Sequence, residues 1–349
     1  MTPAERSAGS SKGSPVPSWM LPLLGSLEIV GAHTEVRAEA LSGGVSSDIF
    51  RVDTPGATLC VKRALPKLKV AQDWRVPTDR NHYEAEWMRV ASALAPSSVP
   101  RLLGEDRASG ALAMEWLPPD RYPVWKAELA AGRVDPACGA RVGEALGCIH
   151  RGTADQPSIA ERFATDDLFR ALRLDPYLEA TAQRHADLAD RLRALAATTV
   201  ATRRVLVHGD FSPKNILVGP HGPVIVDAEC AWFGDPAFDL AFVVNHLLLK
   251  GVWRPQWRER YAEALFALVE AYQPQVGWES FDALEARTAA LVPALMLARV
   301  DGKSPVEYLA SDSERAPVRA FARAQLASAG ASLRTLVERW LRFMPRATS

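Results

Sequence analysis

The stretch "VLVHGDFSPKNILV", Val205–Val218, decides how this chain is read. An apolar run stops at His208 and resumes at Ile216. Between them stand Asp210 and Asn215, five positions apart, with His208 two before the aspartate. The pattern predicts strand, polar loop, strand. A segment serving packing alone would not break its apolar run with His, Asp, Lys and Asn, so the loop is where chemistry is expected.

Phosphoryl transfer needs those residue types at that spacing. A carboxylate orients or deprotonates the acceptor hydroxyl, and oxygen ligands hold the magnesium ions that neutralise the triphosphate. Kinase catalytic loops supply both as H-R-D-x-x-x-x-N. Asp210 is therefore the expected base and Asn215 an expected metal ligand, with His208 bracing the loop by hydrogen bonding. The next apolar run, "GPVIVDAE", ends at Asp227, the expected second metal ligand, with Glu229 two beyond as a candidate acceptor contact. An Asp at a strand end more often forms a turn, and only the upstream Asn215 lifts Asp227 above that. Downstream, "FGDPAFDLAF" carries Asp235, an expected helix N-cap, and Asp239, which could anchor the loop by accepting backbone hydrogen bonds.

Working back towards the N-terminus, strands are predicted at "EVRAEAL", "IFRVDT" and "ATLCVKRAL", with a turn at Pro55–Gly56. The intervening "LSGGVSSDIF" is a candidate phosphate-covering loop: Gly43 and Gly44 admit an anion to the backbone, and Ser46 and Ser47 can donate to it. Taken alone it reads as a plain hairpin turn. Lys62 lies in the third strand, where a lysine usually faces solvent. Behind that loop and ahead of a Glu-bearing helix, it is expected to hold the α- and β-phosphates and to pair with Glu84, Glu86 being the rival partner two residues on. The helix, "NHYEAEWMRVASALA", is expected to bury Tyr83, Trp87, Val90, Ala91 and Leu94. Two further strands, "RLLGED" and "ALAMEWL", join at Ser109–Gly110. The second would offer adenine the backbone of Glu115 and Leu117 with Met114 behind it. The Pro-rich "LPPDRYP" then marks a boundary between a nucleotide-binding N-lobe, 18–117, and a catalytic and acceptor-binding C-lobe, 118–349, after a disordered tail at 1–17.

Beyond Pro123 the pattern turns helical, with small residues at helical intervals in "PACGARVGEALGCIHRGTA" and helices expected around 167–198, 257–272 and 279–298. The expected fold class is thus α+β: a protein-kinase-like two-lobed arrangement with a small five-stranded antiparallel N-lobe.

Composition narrows the partners. Among 349 residues, 41 Lys plus Arg balance 41 Asp plus Glu. A nucleic-acid binder usually carries a basic excess, so that class is disfavoured. No run approaches the roughly 18 uninterrupted apolar residues of a membrane span. The opening "MTPAERSAGSSKGSPVPS" lacks the apolar core of a secretory signal. Cys60, Cys138, Cys148 and Cys230 show no metal-ligand spacing and suit reduced thiols in a cytoplasmic protein.

Four stretches in order, "CVKRAL", "MEWLPP", "VHGDFSPKNILV" and "VIVDAECAWFGDPAFDLA", together resemble the aminoglycoside phosphotransferase-like superfamily of small-molecule kinases, which includes choline and methylthioribose kinases. The resemblance covers roughly residues 36–250. It implies ATP and Mg²⁺ as cofactors and a small hydroxylated molecule as acceptor, with Asp210 matching the base, Asn215 and Asp227 the metal ligands, and Lys62 the phosphate-binding lysine. "KRALPKLKVAQDW" with "DRNHYEAEWMRV" is similar to methylthioribose kinases, whereas their metal-site and C-terminal regions usually differ from "DAECAWFGDPAFDLAF". "LARVDGKSPVEYL", Leu297–Leu309, is similar to uncharacterised phosphotransferases of the group, and Arg299, Asp301 and Lys303 are candidate acceptor contacts, although a helix end capped at Gly302 accounts for them as well. Asp227 and Asp239 are only 12 apart and no A-P-E follows, so little room remains to dock a peptide. Phosphorylation of an aminoglycoside or other antibiotic, or of a sugar in the manner of a methylthioribose kinase, is the enzymatic alternative, and a nucleotide-binding pseudokinase scaffold the non-enzymatic one.

Overall fold

The computed structural model describes residues 16–344 except 32, 43, 45, 68, 70–73, 75 and 329. Gly43, a candidate phosphate contact, and most of the expected tail therefore lie outside the described residues. The chain divides into two compact units, the first formed by residues up to His82 with Leu102–Trp116, the second by Tyr83–Arg101 with Leu117 onward.

The first unit is built on a five-stranded antiparallel sheet: β1 (Arg37–Ala40), β2 (Ser47–Asp53), β3 (Thr58–Ala64), β4 (Leu102–Asp106) and β5 (Ala111–Glu115), in the order β1-β2-β3-β5-β4. The strands and both expected turns agree with the sequence reading. Thr54 closes the β2–β3 turn on Ala57, and Gly110 adopts φ +64° in the β4–β5 turn. Ser47 is the exception: it opens β2, opposite Ala64, instead of lying in the loop. Alternation puts Val52, Leu59, Val61, Ala111 and Ala113 on one buried cluster. A short helix that the sequence reading missed, α1 (Met20–Ser26), covers that cluster with Met20, Leu23 and Leu24. Its pattern spans only two turns and contains Pro22, which hides it from a periodicity argument.

The second unit holds α2 (Arg80–Leu94, whose first turn belongs to the first unit), α3 (Trp125–Ala130), α4 (Pro136–Thr153) and α5 (Pro157–Arg162). One helical run follows, α6 (Asp166–Phe169), a π-helical Arg170–Glu179 and α7 (Ala180–Arg184), then α8 (Ala189–Ala201). After the strands β6 (Val205–Val207), β7 (Ile216–Gly219), β8 (Gly222–Ile225) and β9 (Trp232–Gly234) come α9 (Pro236–Trp253), α10 (Arg258–Tyr272), α11 (Phe281–Asp301), α12 (Asp312–Ala327) and α13 (Leu333–Phe343). The small residues of α4 do what their spacing suggested. A Cβ on Gly139 would stand 2.3 Å from the Ala264 carbonyl oxygen, and one on Gly143 2.0 Å from that of Leu268, so α4 lies directly on the backbone of α10. Buried Val142, Leu146 and Ile149 complete the face. Among the described residues no helix is long and apolar enough to cross a membrane.

The strands flanking the polar loop are paired differently from the simplest reading. β6 does not pair with β7; it pairs with β9, and β7 with β8. The loop is thus held between two separate ribbons, which fixes both of its ends.

Candidate active site

The loop His208–Asn215 is held in place by bonds at His208, Gly209, Asp210 and Asn215, while the buried Ser212 hydroxyl has no partner among the described residues. β6 ends at Val207, and Gly209 turns the chain with φ +77°, where an added Cβ would meet the Cys230 carbonyl oxygen at 2.4 Å. Only glycine fits there. Asp239, buried near the start of α9, accepts from the backbone N–H groups of His208 (2.7 Å) and Gly209 (2.9 Å), the anchoring role expected of it. Asp235 caps the same helix through the Ala237 N–H. His150 lies 3.4 Å from Asp239 and 2.8 Å from the Tyr272 hydroxyl, which ties the anchor to α4 and α10.

His208 is a brace. Its Nδ1 accepts from the Asp210 backbone N–H (3.1 Å), so the ring proton must sit on Nε2, which donates to the Val226 carbonyl (3.1 Å). Burial holds this imidazole below its ordinary titration range, against the pull of Asp239. Trp87 of α2 packs edge-on to it, with centroids 5.2 Å apart.

The same bonds bring the three acid-loop candidates together. The Asn215 side-chain amide donates to the Asp210 carbonyl (3.0 Å), and the Val226 N–H donates to the Asn215 carbonyl (3.0 Å), so Asp210, Asn215 and the start of the Asp227 turn form one assembly. An N–H must be the atom facing a carbonyl, which leaves the Asn215 amide oxygen as the side-chain atom that could hold a metal ion. Asp227 adopts φ +67°, a left-handed conformation. Such a backbone costs a non-glycine residue about 1–3 kcal/mol and concentrates at functional sites.

Asp210 is 4% exposed and is met by two cations. Arg173 reaches it at 2.9 Å and Lys214 at 2.9 Å. Burial pushes the carboxyl up, but Arg173 and then Lys214 outweigh it and hold Asp210 below the usual carboxylate range. Lys214 is about half exposed, and against the desolvation of its ammonium at the pair Asp210 holds it above its ordinary value. Sequence reasoning missed Arg173. It lies 37 positions upstream in an amphipathic run with no motif, and the signal that marks it is structural. The π-helical Arg170–Glu179 turns it inward, where it also donates to the Gly209 carbonyl. π-Helical turns are rare and frequent at functional sites.

The remaining candidates fall as follows. Lys62 and Glu84 are both buried, at 3% and 2% exposure. Glu86 is committed elsewhere, to Arg89 and Arg162, so of the two glutamates Glu84 is the one turned inward. The helix face is accordingly Glu84, Ala85, Trp87, Met88 and Ala91, shifted from the stripe expected through Tyr83, Val90 and Leu94. Ser46 is used through its carbonyl, which binds the Leu65 N–H and Arg80. Ser47 Oγ is buried with no partner among the described residues. Met114 is buried in β5, with Glu115 at its end and Leu117 just beyond it. Glu229 is buried, and its charge is felt at Arg173. Asp301 is taken up by Arg319 (2.7 Å) and His185 (3.0 Å), and Lys303 is exposed, its N–H on the Pro176 carbonyl. Gly302 caps α11. Arg299, by contrast, is buried and points at Tyr177. Among the described residues none of the four cysteines is in a disulfide, and burial raises Cys138 to about 11, far from a reactive thiolate.

The model of a phosphotransferase enzyme family matches residues 37–284. A methylthioribose kinase from Pectobacterium atrosepticum is 27% identical over 251 residues, 62% of this chain and 61% of that kinase, so the chain spans about three-fifths of its length. Two solved structures share the fold. They are an ethanolamine kinase from Plasmodium vivax (TM-score 0.55, 11% identity, 91% of this chain and 84% of that one) and an aminoglycoside phosphotransferase from Alicyclobacillus acidocaldarius (TM-score 0.52, 18% identity, 95% and 99%).

Proposed function

This chain belongs to the phosphotransferase enzyme family, and on that premise we propose that it moves the terminal phosphoryl group of ATP to a hydroxyl of a small molecule. One observation carries the reading: Asp210 is buried yet held ionised between Arg173 and Lys214, in a loop that also presents Asn215. A scaffold has no use for a carboxylate maintained in that state. An acceptor hydroxyl placed against Asp210 would be oriented by it and would give up its proton to it as the bond to phosphorus forms.

The residues fit the nucleotide and its ion. The Asn215 amide oxygen and Asp227 form a hard, oxygen-only donor set of the kind magnesium takes. The orphaned Ser47 hydroxyl suits a phosphate oxygen, and Lys62 would hold the phosphates. Glu84 would orient that lysine, and the backbone of Glu115 and Leu117 would meet the adenine. Magnesium-bound ATP, when present, supplies the phosphoryl group and the positive charge that offsets its oxygens. The relatives named for methylthioribose and ethanolamine support a compact alcohol as acceptor.

The test is a library of hydroxylated metabolites incubated with ATP and magnesium and read for a phosphoryl mass gain. At least one acceptor is expected to gain it, with stoichiometric ADP. Asp227→Ala should weaken nucleotide binding only in the presence of magnesium, as seen by calorimetry. ATP bound equally with and without magnesium, and no acceptor modified, would overturn the reading and favour a scaffold.

A further inference from the structure

Around α9, α11 and the segment after α11 the second unit gathers positive charge that its own carboxylates do not meet. Lys250, in the last turn of α9, is 1% exposed. Among the described residues its ammonium makes no hydrogen bond and no ion pair. Its ammonium faces two rings, Tyr308 at 4.7 Å and Trp253 at 5.6 Å, which stack on each other at 4.8 Å. Lys126 also approaches the Tyr308 ring, at 5.9 Å, and Glu307 is bound to Lys126. Arg299 is 8% exposed and bonds Tyr177 and Ser304, but its Nε has no partner. His246 Nε2 and the Tyr308 hydroxyl are also buried and unmet. Four unsatisfied polar groups therefore converge, and the one carboxylate among them is already used.

The cluster adjoins the catalytic loop through shared aromatic walls. Arg173, which holds Asp210, lies 5.9 Å from both the Tyr177 and the Phe242 rings. Tyr177 also lies against Arg299, 5.6 Å away, and Phe242 packs 5.2 Å from His246. The cluster is thus one ring removed from the place where an acceptor hydroxyl must sit.

A buried ammonium without an anion is costly. Burial first, and then the like charge of Lys126, pull Lys250 down to about 7, and burial with Arg299 and Lys250 holds His246 well below its ordinary range. Packing does not require the charge, since a methionine of similar length would cover the same two rings. Charges kept at such cost are characteristic of ligand sites.

Building on the phosphotransferase reading, we infer that the acceptor carries an anionic group, a carboxylate or a phosphate, seated between Lys250 and Arg299 with a hydrogen bond from Tyr308. The site recognises a hydroxy acid or a sugar phosphate and rejects polycations, which sets it apart from aminoglycosides. His246 Nε2 and Arg299 Nε would supply the remaining contacts to the anion or its neighbouring hydroxyls.

The experiment pairs acceptors that differ only in charge: glycerate and glycerol 3-phosphate against glycerol, ribose 5-phosphate against ribose, with ethanolamine and an aminoglycoside as cations. Binding is measured by calorimetry on the full chain saturated with magnesium and a non-hydrolysable ATP analogue, which fills the nucleotide's own phosphate site. Turnover is measured separately as ADP release. At least one anionic member should bind ten-fold or more tightly than its neutral partner. The two arms, carboxylate and phosphate, tell which anion is meant. Lys250→Met should erase that preference while leaving nucleotide binding unchanged, and Lys250→Arg should restore part of it. Tyr308→Phe, a milder change that keeps the ring, should reduce it several-fold. Anion binding that is lost in Lys250→Met but accompanied by no turnover of any acceptor would support the anion pocket and count against phosphoryl transfer. Equal binding of charged and neutral members, or a preference for the cations, would overturn the inference.

Discussion

Asp210 and Lys250 are both charged side chains removed from water, at 4% and 1% exposure, and the structure treats them in opposite ways. Asp210 has two cations in contact, one buried and one at the surface. Lys250 has only ring faces. The difference separates a group that must be ready before the acceptor arrives from a group that is completed by the acceptor. A base has to be ionised in the empty enzyme, so its countercharges are built in. A recognition charge gains most when its partner comes with the ligand, and the empty protein carries the cost meanwhile.

The sharpest way to break this contrast is to remove the prepared charge. Asp210→Asn keeps the shape and the backbone contacts but loses the proton acceptor. Turnover should fall by about 10²–10⁴, with ATP affinity nearly unchanged. A variant that kept close to full rate in steady-state kinetics would show that the carboxylate is not the base.

Next in size is a change that makes Asp210 resemble Lys250. Arg173→Met strips the buried partner and leaves Lys214 alone at the surface. Breaking a buried pair by one partner costs about 3–5 kcal/mol, to be read from chemical denaturation. The pH response should move with it. In the native chain Asp210 titrates below the ordinary 3.8, so its contribution to stability is present above that value and lost only as the pH falls through the depressed one. In Arg173→Met the burial that opposes ionisation is no longer outweighed by the largest cation. The acid limb of the rate profile should therefore shift towards neutral pH. A limb that stayed in place would assign the depression to Lys214.

Lys250 predicts the same direction of pH dependence at higher pH and for the opposite reason: here the fold disfavours the charged form instead of stabilising it. An ordinary lysine titrates near 10.5, and here the folded value is about 7. Between those values the unfolded chain holds a proton that the folded chain has released, so stability should rise with pH across that window. The gain is on the order of 5 kcal/mol at most, at about 1.36 kcal/mol per pKa unit. The groups facing this amine are Lys126 and Arg299, which depress it, and Glu307, which opposes them. Lys250→Met should flatten the rise and should melt higher than the native chain at pH 7. Equal slopes in the two proteins would mean that the amine finds an anion in the unliganded state.

How much of this was legible beforehand follows the same division. The sheet of the first unit was readable because each strand alternates and each turn carries its own Gly or Pro, information local to a few residues. The loop was readable because the Asp210–Asn215 spacing is itself local, and the glycine spacing of α4 announced a close helix contact. Arg173 was not readable, since its meaning depends on a π-helical run and on a loop 37 residues away. The pairing of β6 with β9 instead of β7 is a choice among equally apolar ribbons that only tertiary packing settles. The C-terminal stretch gave Arg299 as a candidate but grouped it with Asp301 and Lys303. One helical turn separates a residue facing Tyr177 from one facing Arg319 and another facing solvent. Lys250 was invisible for a related reason: at the end of an apolar helix, a lysine reads as a solvated terminus.

The smallest effect is reserved for the second cation of Asp210. Lys214 approaches the same carboxylate oxygen as Arg173, but about half of its side chain is exposed. Exposed pairs contribute roughly 0.2–1 kcal/mol because water screens them and the long side chain loses freedom. Lys214→Met should therefore lower stability by no more than about 1 kcal/mol, several-fold less than Arg173→Met in the same denaturation experiment. If the two variants cost the same, the Lys214 charge is desolvated as fully as that of Arg173. The prepared site would then be closed to water on both sides before any acceptor enters.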